Sequence, residues 1–359
     1  MHGRTALSIL AALALAPVAA PPVAGQEAFD AGRAAILQQR QPALHDLVLR
    51  LEAAHGVLLD ELAREGEAVR ARGDTAATPG FESRLVERLT TLVSSGGKAT
   101  AGGTATDANF SVLGARGAEV VRRGQAFQRE TLSILADPDV VDRSAALADA
   151  VTRYRSRPEV ALPAVPKDME ILYGHPYALA FRTGYGELDG FIWAGHWLRL
   201  AVTEPLIDSP PGPERAAGVD TVTTRYHGKL SQGEAPQAFP SEIPLAPAIA
   251  PGLIWLSPES AMIWDNLSML LEVVADVLAS PEASDTRSAV EAALAFFLDP
   301  DVAVTDQDEW EIMALRHGIF FQGGFPLAVM TENERNVGGH AAHLAGGAPL
   351  MTIPGMPRR

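Results

Sequence analysis

The feature that most constrains the fold is a pattern of residues that occurs twice along the chain. Residues 135–142 (LADPDVVD) are similar to residues 278–285 (LASPEASD), and residues 158–162 (PEVAL) are similar to residues 300–304 (PDVAV). The offset stays between 142 and 144 residues up to a histidine near the end of each copy. A constant offset of this kind indicates an internal duplication. We interpret each copy as a long helix, a short helix that begins after a proline, an extended segment and another helix that carries a histidine.

The spacing of apolar residues predicts helices in both copies and ahead of them. Leucines recur at i, i+3, i+4 and i+7 from Ala43 to Arg72, which is typical of one apolar face of a helix. A second such segment, Phe81 to Val93, follows a Pro-Gly pair, so the two segments predict a helical hairpin. The same periodicity predicts further helices at 112–136, 144–154, 187–204 and 260–280.

Prolines interrupt this pattern between the two copies. Ten of the 26 prolines lie from Pro205 to Pro258, and we expect no continuous helix there because proline lacks the amide hydrogen. Pro205 itself is expected to end the helix 187–204. Residues Val219 to Tyr226 are β-branched and alternating, which favours a short strand or hairpin. The predicted fold class is mainly α: a helical bundle or two tandem related helical units with a Pro-rich connection and at most a short β-hairpin.

These boundaries divide the chain into seven segments. They are a signal peptide (1–25), an N-terminal helical hairpin (26–94), a flexible Gly/Thr/Ala linker (95–108), helical unit 1 (109–208), a Pro-rich connection (209–257), helical unit 2 (258–335) and a flexible C-terminal tail (336–359).

The first segment has the pattern of a bacterial Sec-type signal peptide. One early arginine precedes an apolar run from Ala6 to Ala16, and small residues stand before Gln26, where we expect cleavage. The apolar run is too short to span a bilayer. We therefore expect the mature protein to be periplasmic or secreted and to have no membrane span.

The composition excludes several kinds of site and partner. The chain has no cysteine, which excludes disulfides, a thiolate nucleophile, an iron–sulfur cluster and covalently attached haem c. With 44 acidic against 29 basic residues the formal charge is −15, and we expect no nucleic-acid partner because phosphate binding needs clustered Lys and Arg. No Gly-rich phosphate-binding motif follows a strand, so we expect no nucleotide.

The best candidate site is the aromatic segment 173–197. It holds seven aromatic residues, although the whole chain has only 12 Phe, 5 Trp and 5 Tyr. The candidate ligand-binding residues are Tyr173, Tyr177, Trp193, His196 and Trp197. The leading hypothesis is that this segment binds an unknown small molecule or a periplasmic protein partner. A buried helix whose polar residues are merely satisfied by hydrogen bonds is the alternative interpretation of the same pattern.

A set of histidines and carboxylates supports two other hypotheses. The candidate ligands of a divalent metal are His175, His196, His317, Asp189 and Glu204, in a metalloprotein or a metal-dependent enzyme. In a metal-free hydrolase or lyase, His196 would instead be the general base, oriented by Asp189 or Glu204. The sequence leaves open whether the chain is an enzyme.

Two weaker patterns also involve carboxylates. Asp265, Glu272 and Asp276 lie on one narrow stripe of the helix 260–280, which indicates either a cation site in a bundle or the one solvated edge of a nearly buried helix. The four residues from Glu52 to His55 have the i, i+3 spacing of carboxylate-bridged di-iron bundles. Such bundles need a second copy of that motif, and the chain has none.

Overall fold

The structure, a computed structural model, describes residues 35–94, 110–231, 243–318 and 353–356. Fourteen α-helices have both ends in these ranges, and no β-strand occurs in them. An isolated antiparallel bridge joins Lys167 to Val304. The mainly α fold class is therefore confirmed.

The helices are numbered here in chain order. They are α1 (Pro42–Arg72), α2 (Phe81–Ser94), α3 (Gly114–Ala136), α4 (Arg143–Tyr154), α5 (Ile171–Gly174), α6 (Ala180–Gly184), α7 (Gly186–Ala201), α8 (Thr203–Asp208), α9 (Pro213–Ser231), α10 (Ala246–Ile249), α11 (Pro251–Leu256), α12 (Pro258–Ala279), α13 (Thr286–Leu298) and α14 (Gln307–Gly318). A 3₁₀ turn, Ser111–Leu113, precedes α3.

Three of the predicted segments lie wholly or mostly outside the described residues. They are the signal peptide, the linker 95–108 and the tail 336–359. Of the tail the structure describes residues 353–356, where Ile353 and Met356 are buried in the main hydrophobic core. Among the described helices none has the length and apolarity that crossing a membrane requires.

Helices α1 and α2 form the hairpin that the apolar spacing predicts. Helix α1 begins with Pro42 in its first turn and ends at Gly73, whose φ of +68° is the left-handed conformation that glycine adopts readily. The two helices pack against each other, and Leu85, Leu89 and Val93 of α2 are buried. The hairpin places the middle of α1 against the rest of the core.

Helix α12 is the centre of the molecule. Every residue from Ser260 to Ala279 is buried, as expected for a helix that is apolar on nearly all sides. Helices α1, α3, α6 and α13 pack around it. Where α1 meets the end of α12, a Cβ atom on Gly66 would lie 2.2 Å from the carbonyl oxygen of Leu278. A side chain at this position would separate the two helices, so the contact depends on glycine.

The repeated sequence pattern corresponds to a repeated pair of helices. Helix α3 is followed by α4 in the same way as α12 is followed by α13. The shorter helix of each pair is capped by the aspartate that precedes it, Asp142 or Asp285, which accepts a hydrogen bond from the backbone N–H three residues later. The extended segments that follow meet each other, since the Asp168 N–H donates to the Ala303 carbonyl at 2.8 Å. The next elements differ, because α5 has four residues and α14 has 12. Common descent of the two units stays a prediction.

The predicted strand at Val219 to Tyr226 is wrong. These residues form the middle of α9, and the two named residues are buried seven positions apart, on one helical face. The ten prolines lie towards the two ends of the connection, and residues 214–235 contain none, so α9 runs from Pro213 without interruption. Pro205 also continues a helix, because it lies in the first turn of α8, where a missing N–H breaks no intrahelical bond.

Candidate functional site

The aromatic segment 173–197 is part of the interior. It forms α5, α6 and most of α7, and all five predicted ligand-binding residues are buried: Tyr173, Tyr177, Trp193, His196 and Trp197. An exposed surface for a protein partner would require these rings to face solvent. A ligand of these residues would therefore be bound inside the helical core.

His196 of α7 lies against His55, a residue noted in the sequence only for its spacing from Glu52. Its ring stacks on that of His55 of α1, with the centroids 5.3 Å apart and the planes 20° apart. The two helices approach closely here because α7 has Gly195, where a Cβ would lie 3.3 Å from the Leu51 side chain. Burial lowers the pKa of His196 to about 3, and burial together with the neighbouring His196 and Arg199 lowers the pKa of His55. Both rings are therefore neutral at neutral pH.

Four helices contribute polar side chains around this pair. We call the group the histidine–arginine cluster, and it consists of Glu52, His55, Arg129, His196, Arg199 and Tyr226. They come from α1, α3, α7 and α9. All except Arg129 are buried, and the side chain of Arg129 is 23% exposed, so it connects the cluster to the surface.

The cluster has several buried polar atoms without a hydrogen-bond partner. They are Oε1 of Glu52, both ring nitrogens of His196, Nε and Nη2 of Arg199 and Oη of Tyr226. Buried polar groups in folded proteins are nearly always hydrogen-bonded, so such a concentration in one place requires an explanation. Ordered water or a bound polar molecule would supply the missing partners.

The charges of the cluster are unbalanced. Glu52 forms an ion pair with Arg129, and within the described part of the chain no carboxylate lies within ion-pair distance of Arg199. Burial lowers the pKa of Arg199, while the more distant Glu52 carboxylate raises it. Because both histidines are neutral, the cluster contains one positive charge more than it has negative charges.

A lysine and two indoles border the cluster. The Lys229 ammonium lies over the rings of Trp193 and Trp197, at 5.3 and 4.7 Å from their centroids. This cation–π arrangement fixes Lys229 of α9 against α7. Burial, and to a lesser extent Arg225, lowers the pKa of Lys229. The two helices that carry His196 and Tyr226 are thereby held together beside the cluster.

A second buried group is organised differently. This acid–arginine cluster consists of His175, Arg182, Asp189, Glu272 and Asp276. Asp276 accepts hydrogen bonds from the backbone N–H groups of Leu179 and Phe181. Arg182 pairs with both Asp276 and Glu272 at 3.3 Å. These contacts hold the irregular chain between α5 and α7, where Leu179 has a φ of +68°.

The carboxylates of the acid–arginine cluster differ in their proton affinity. Burial raises the pKa of Glu272 to about 7, although Arg182 opposes the shift. Burial and the neighbouring Glu272 raise the pKa of Asp189 well above its ordinary value. Burial also disfavours the ionised form of Asp276, but Arg182, His175 and the Phe181 N–H together hold its pKa below the ordinary value. Asp276 is therefore the charged partner of Arg182 at neutral pH.

The four predicted metal ligands whose side chains the structure describes lie in three different places. His175 faces Asp276 at 3.4 Å, whereas His196 stacks on His55. Glu204 accepts a hydrogen bond from the Gly252 N–H. The remaining two are Asp189, in the acid–arginine cluster, and His317, whose side chain lies outside the described part of the structure. Among the described residues no group of three or more His, Asp or Glu side chains is placed to hold a metal ion.

The arrangement predicted for a general base at His196 is also not found. Neither ring nitrogen of His196 has a hydrogen-bond partner, so neither Asp189 nor Glu204 orients the ring. Its pKa of about 3 makes the neutral imidazole a weak base. The stripe formed by Asp265, Glu272 and Asp276 is buried, so it is not a solvated edge of α12.

The three carboxylates of that stripe have separate partners. Asp265 accepts hydrogen bonds from the Ala246 N–H at 3.0 Å and from the Trp310 indole at 3.2 Å, and the other two belong to the acid–arginine cluster. Two hollows on the described surface lie elsewhere. One of about 560 Å³ lies between α1, the 3₁₀ turn and α13, and one of about 430 Å³ lies in the loop 72–79.

The residue that sequence reasoning missed is Arg199. It stands in the apolar segment WLRLAV of α7, where an arginine is unusual, and that contrast was the available signal. Glu52 and His55 were noticed only for their spacing. Their association with α7 depends on which helices pack together, which periodicity within one helix does not reveal.

Comparison with protein-family models, with curated proteins and with solved structures found no match to this chain.

Proposed function

We propose that the protein binds a small carboxylate-bearing molecule in the histidine–arginine cluster. The observation that carries the proposal is the buried edge of Arg199, where Nε and Nη2 both lack a hydrogen-bond partner. These two N–H groups form the planar fork that binds both oxygens of a carboxylate at once. A buried N–H without a partner costs about 1–3 kcal/mol, and a carboxylate satisfies two of them together.

Charge and surroundings support an anion. No carboxylate of the described residues lies within ion-pair distance of Arg199, and the Glu52 carboxylate, which pairs with Arg129, acts on it only from further away. Tyr226 offers a further buried hydroxyl close to Arg199. Trp193 and Trp197 supply apolar surface on α7 beside the cluster. A few converging polar groups with aromatic neighbours are the usual composition of a small-molecule site.

The proposal is tested by titration calorimetry of the full chain with simple carboxylates in a buffer that contains none. Arg199→Lys keeps the charge but loses the fork, so we expect its affinity to fall by tenfold or more. Arg215→Lys is the matched control. Arg215 is equally buried, but its Nε and Nη2 already donate to the Ser209 carbonyl, so we expect unchanged affinity. Equal affinity of wild type and Arg199→Lys, or no binding at millimolar carboxylate, would contradict the proposal.

We further propose that the chain is exported before it binds this ligand. The apolar run after the first arginine and the small residues before Gln26 support this, since both are features of secretory signal peptides. Intact-mass measurement of the protein recovered from the periplasmic fraction of an expressing bacterium tests it. We expect a chain that begins at Gln26. A chain that keeps residues 1–25 and stays in the cytoplasmic fraction would refute export.

A further inference from the structure

We infer that the ligand is a 2-hydroxy carboxylate: its carboxylate binds Arg199 and its hydroxyl donates to Glu52. This inference rests on the proposed function and adds a second point of recognition. It starts from Oε1 of Glu52, which is buried and has no hydrogen-bond partner. The other carboxylate oxygen of Glu52 is paired with Arg129.

An ionised carboxylate accepts hydrogen bonds and cannot donate them. A ligand that occupies the proposed site therefore satisfies the Glu52 oxygen only if it carries a hydrogen-bond donor. A ligand that had only a carboxylate would satisfy Arg199 and leave the Glu52 oxygen buried without a bond. A ligand that had only a hydroxyl would leave the fork of Arg199 unsatisfied. Both groups are needed on the same molecule.

The two recognition points are close to the same place in the fold. Glu52 lies one helical turn before His55 on α1, and Arg199 lies one turn after His196 on α7. Residues so spaced are neighbours on one helix face. Because the His55 and His196 rings stack at 5.3 Å, Glu52 and Arg199 flank the same pair of rings. A compact ligand with its donor on the carbon next to the carboxylate is the simplest molecule that contacts both.

Charge decides between a hydroxyl and an ammonium as that donor. The cluster holds two positive charges, on Arg129 and Arg199, and one negative charge, on Glu52, while both histidines are neutral. It therefore has an excess of one positive charge. A hydroxy acid carries one negative charge and neutralises this excess, whereas a zwitterionic amino acid leaves it in place. The ammonium would also approach Arg129, which is bound to the same carboxylate. In a buried site, where charges are poorly screened, both effects favour the hydroxyl.

The test compares three probes of similar size on the wild-type full chain by calorimetry: 2-hydroxypropionate, propionate and alanine. We expect 2-hydroxypropionate to bind at least tenfold more tightly than propionate, because propionate leaves the Glu52 oxygen unpaired. We expect alanine to bind more weakly than 2-hydroxypropionate. Equal binding of propionate and 2-hydroxypropionate, both lost in Arg199→Lys, would overturn this inference and leave the carboxylate site intact. Tightest binding of alanine would overturn it in favour of an amino acid.

The variant Glu52→Gln tests whether Glu52 causes the preference for 2-hydroxypropionate over propionate. In Glu52→Gln we expect the ratio of affinities for 2-hydroxypropionate and propionate to fall below threefold, because a neutral amide is a weaker acceptor. Arg199→Lys should weaken both probes by the same factor. A ratio that stays above tenfold in folded Glu52→Gln, verified by circular dichroism, would show that the hydroxyl binds elsewhere. If Glu52→Gln does not fold, the comparison of probes on the wild-type chain still decides the inference.

Discussion

Arg199→Met should make the ligand-free protein more stable while it abolishes carboxylate binding. The replacement removes two buried N–H groups that have no partner and a charge whose pKa burial lowers. Each such N–H costs about 1–3 kcal/mol when it is buried, and replacing a poorly compensated buried charge by a well-packed apolar side chain is often stabilising by 1–4 kcal/mol. Loss of the attraction to Glu52 offsets part of this gain. We expect a net increase in the free energy of unfolding of about 2 kcal/mol.

The assay is equilibrium unfolding in guanidinium chloride, followed by circular dichroism in buffer free of carboxylates. Arg215→Met is the matched control, because Arg215 is buried to the same degree but donates to the carbonyls of Ser209 and Ala136. We expect this variant to lose about 1–3 kcal/mol, since those carbonyls lose their donors. If Arg199→Met is destabilised as much as Arg215→Met, the Arg199 fork is satisfied within the protein itself and the reasoning fails.

Three further predictions concern the scaffold. Burial raises the pKa of Glu272 from the ordinary 4.5 to about 7, so between these pH values the folded state binds more protons than the unfolded state. The free energy of unfolding should therefore fall as pH rises through this range, by up to about 3 kcal/mol. Glu272→Gln should flatten this dependence in unfolding titrations at pH 5 and pH 8, and an unchanged slope would contradict the prediction. Gly66→Ala should destabilise the protein by more than about 2 kcal/mol in thermal unfolding, because the new Cβ would lie 2.2 Å from the Leu278 carbonyl oxygen. A neutral effect would show that α1 and α12 separate easily. Asp285→Ala should cost about 1 kcal/mol in the same assay because the cap of α13 is lost, and Asp285→Asn should restore most of it if capping is the reason.

The helices could be predicted from the sequence because their apolar residues follow one period. The predicted segment Ala43 to Arg72 differs from α1 by one residue at its start, and the segment 260–280 differs from α12 by one or two at each end. The prediction of a strand at Val219 to Tyr226 was wrong because it relied on the β-branched composition of this segment and not on the spacing of its apolar residues. Those apolar positions fit a helical face, and packing of that face against the core determines the conformation.

The site was only partly predictable. Periodicity placed His196 on a mixed face of its helix, but it does not determine which helix lies opposite. The sequence therefore suggested Asp189 or Glu204 as partners of His196, when the actual neighbour is His55, some 140 positions earlier in the chain. Such contacts depend on how whole helices pack around α12. The stripe of carboxylates on α12 was misjudged for the same reason, since each carboxylate has a buried partner on another element.

A crystal structure of the protein with 2-hydroxypropionate bound, at a resolution that places individual oxygen atoms, tests the proposed site directly. We expect both carboxylate oxygens at about 2.7–2.9 Å from Nε and Nη2 of Arg199. We also expect the hydroxyl within hydrogen-bond distance of Oε1 of Glu52. Ordered waters on the Arg199 fork at saturating ligand, with the ligand bound elsewhere, would contradict the proposal.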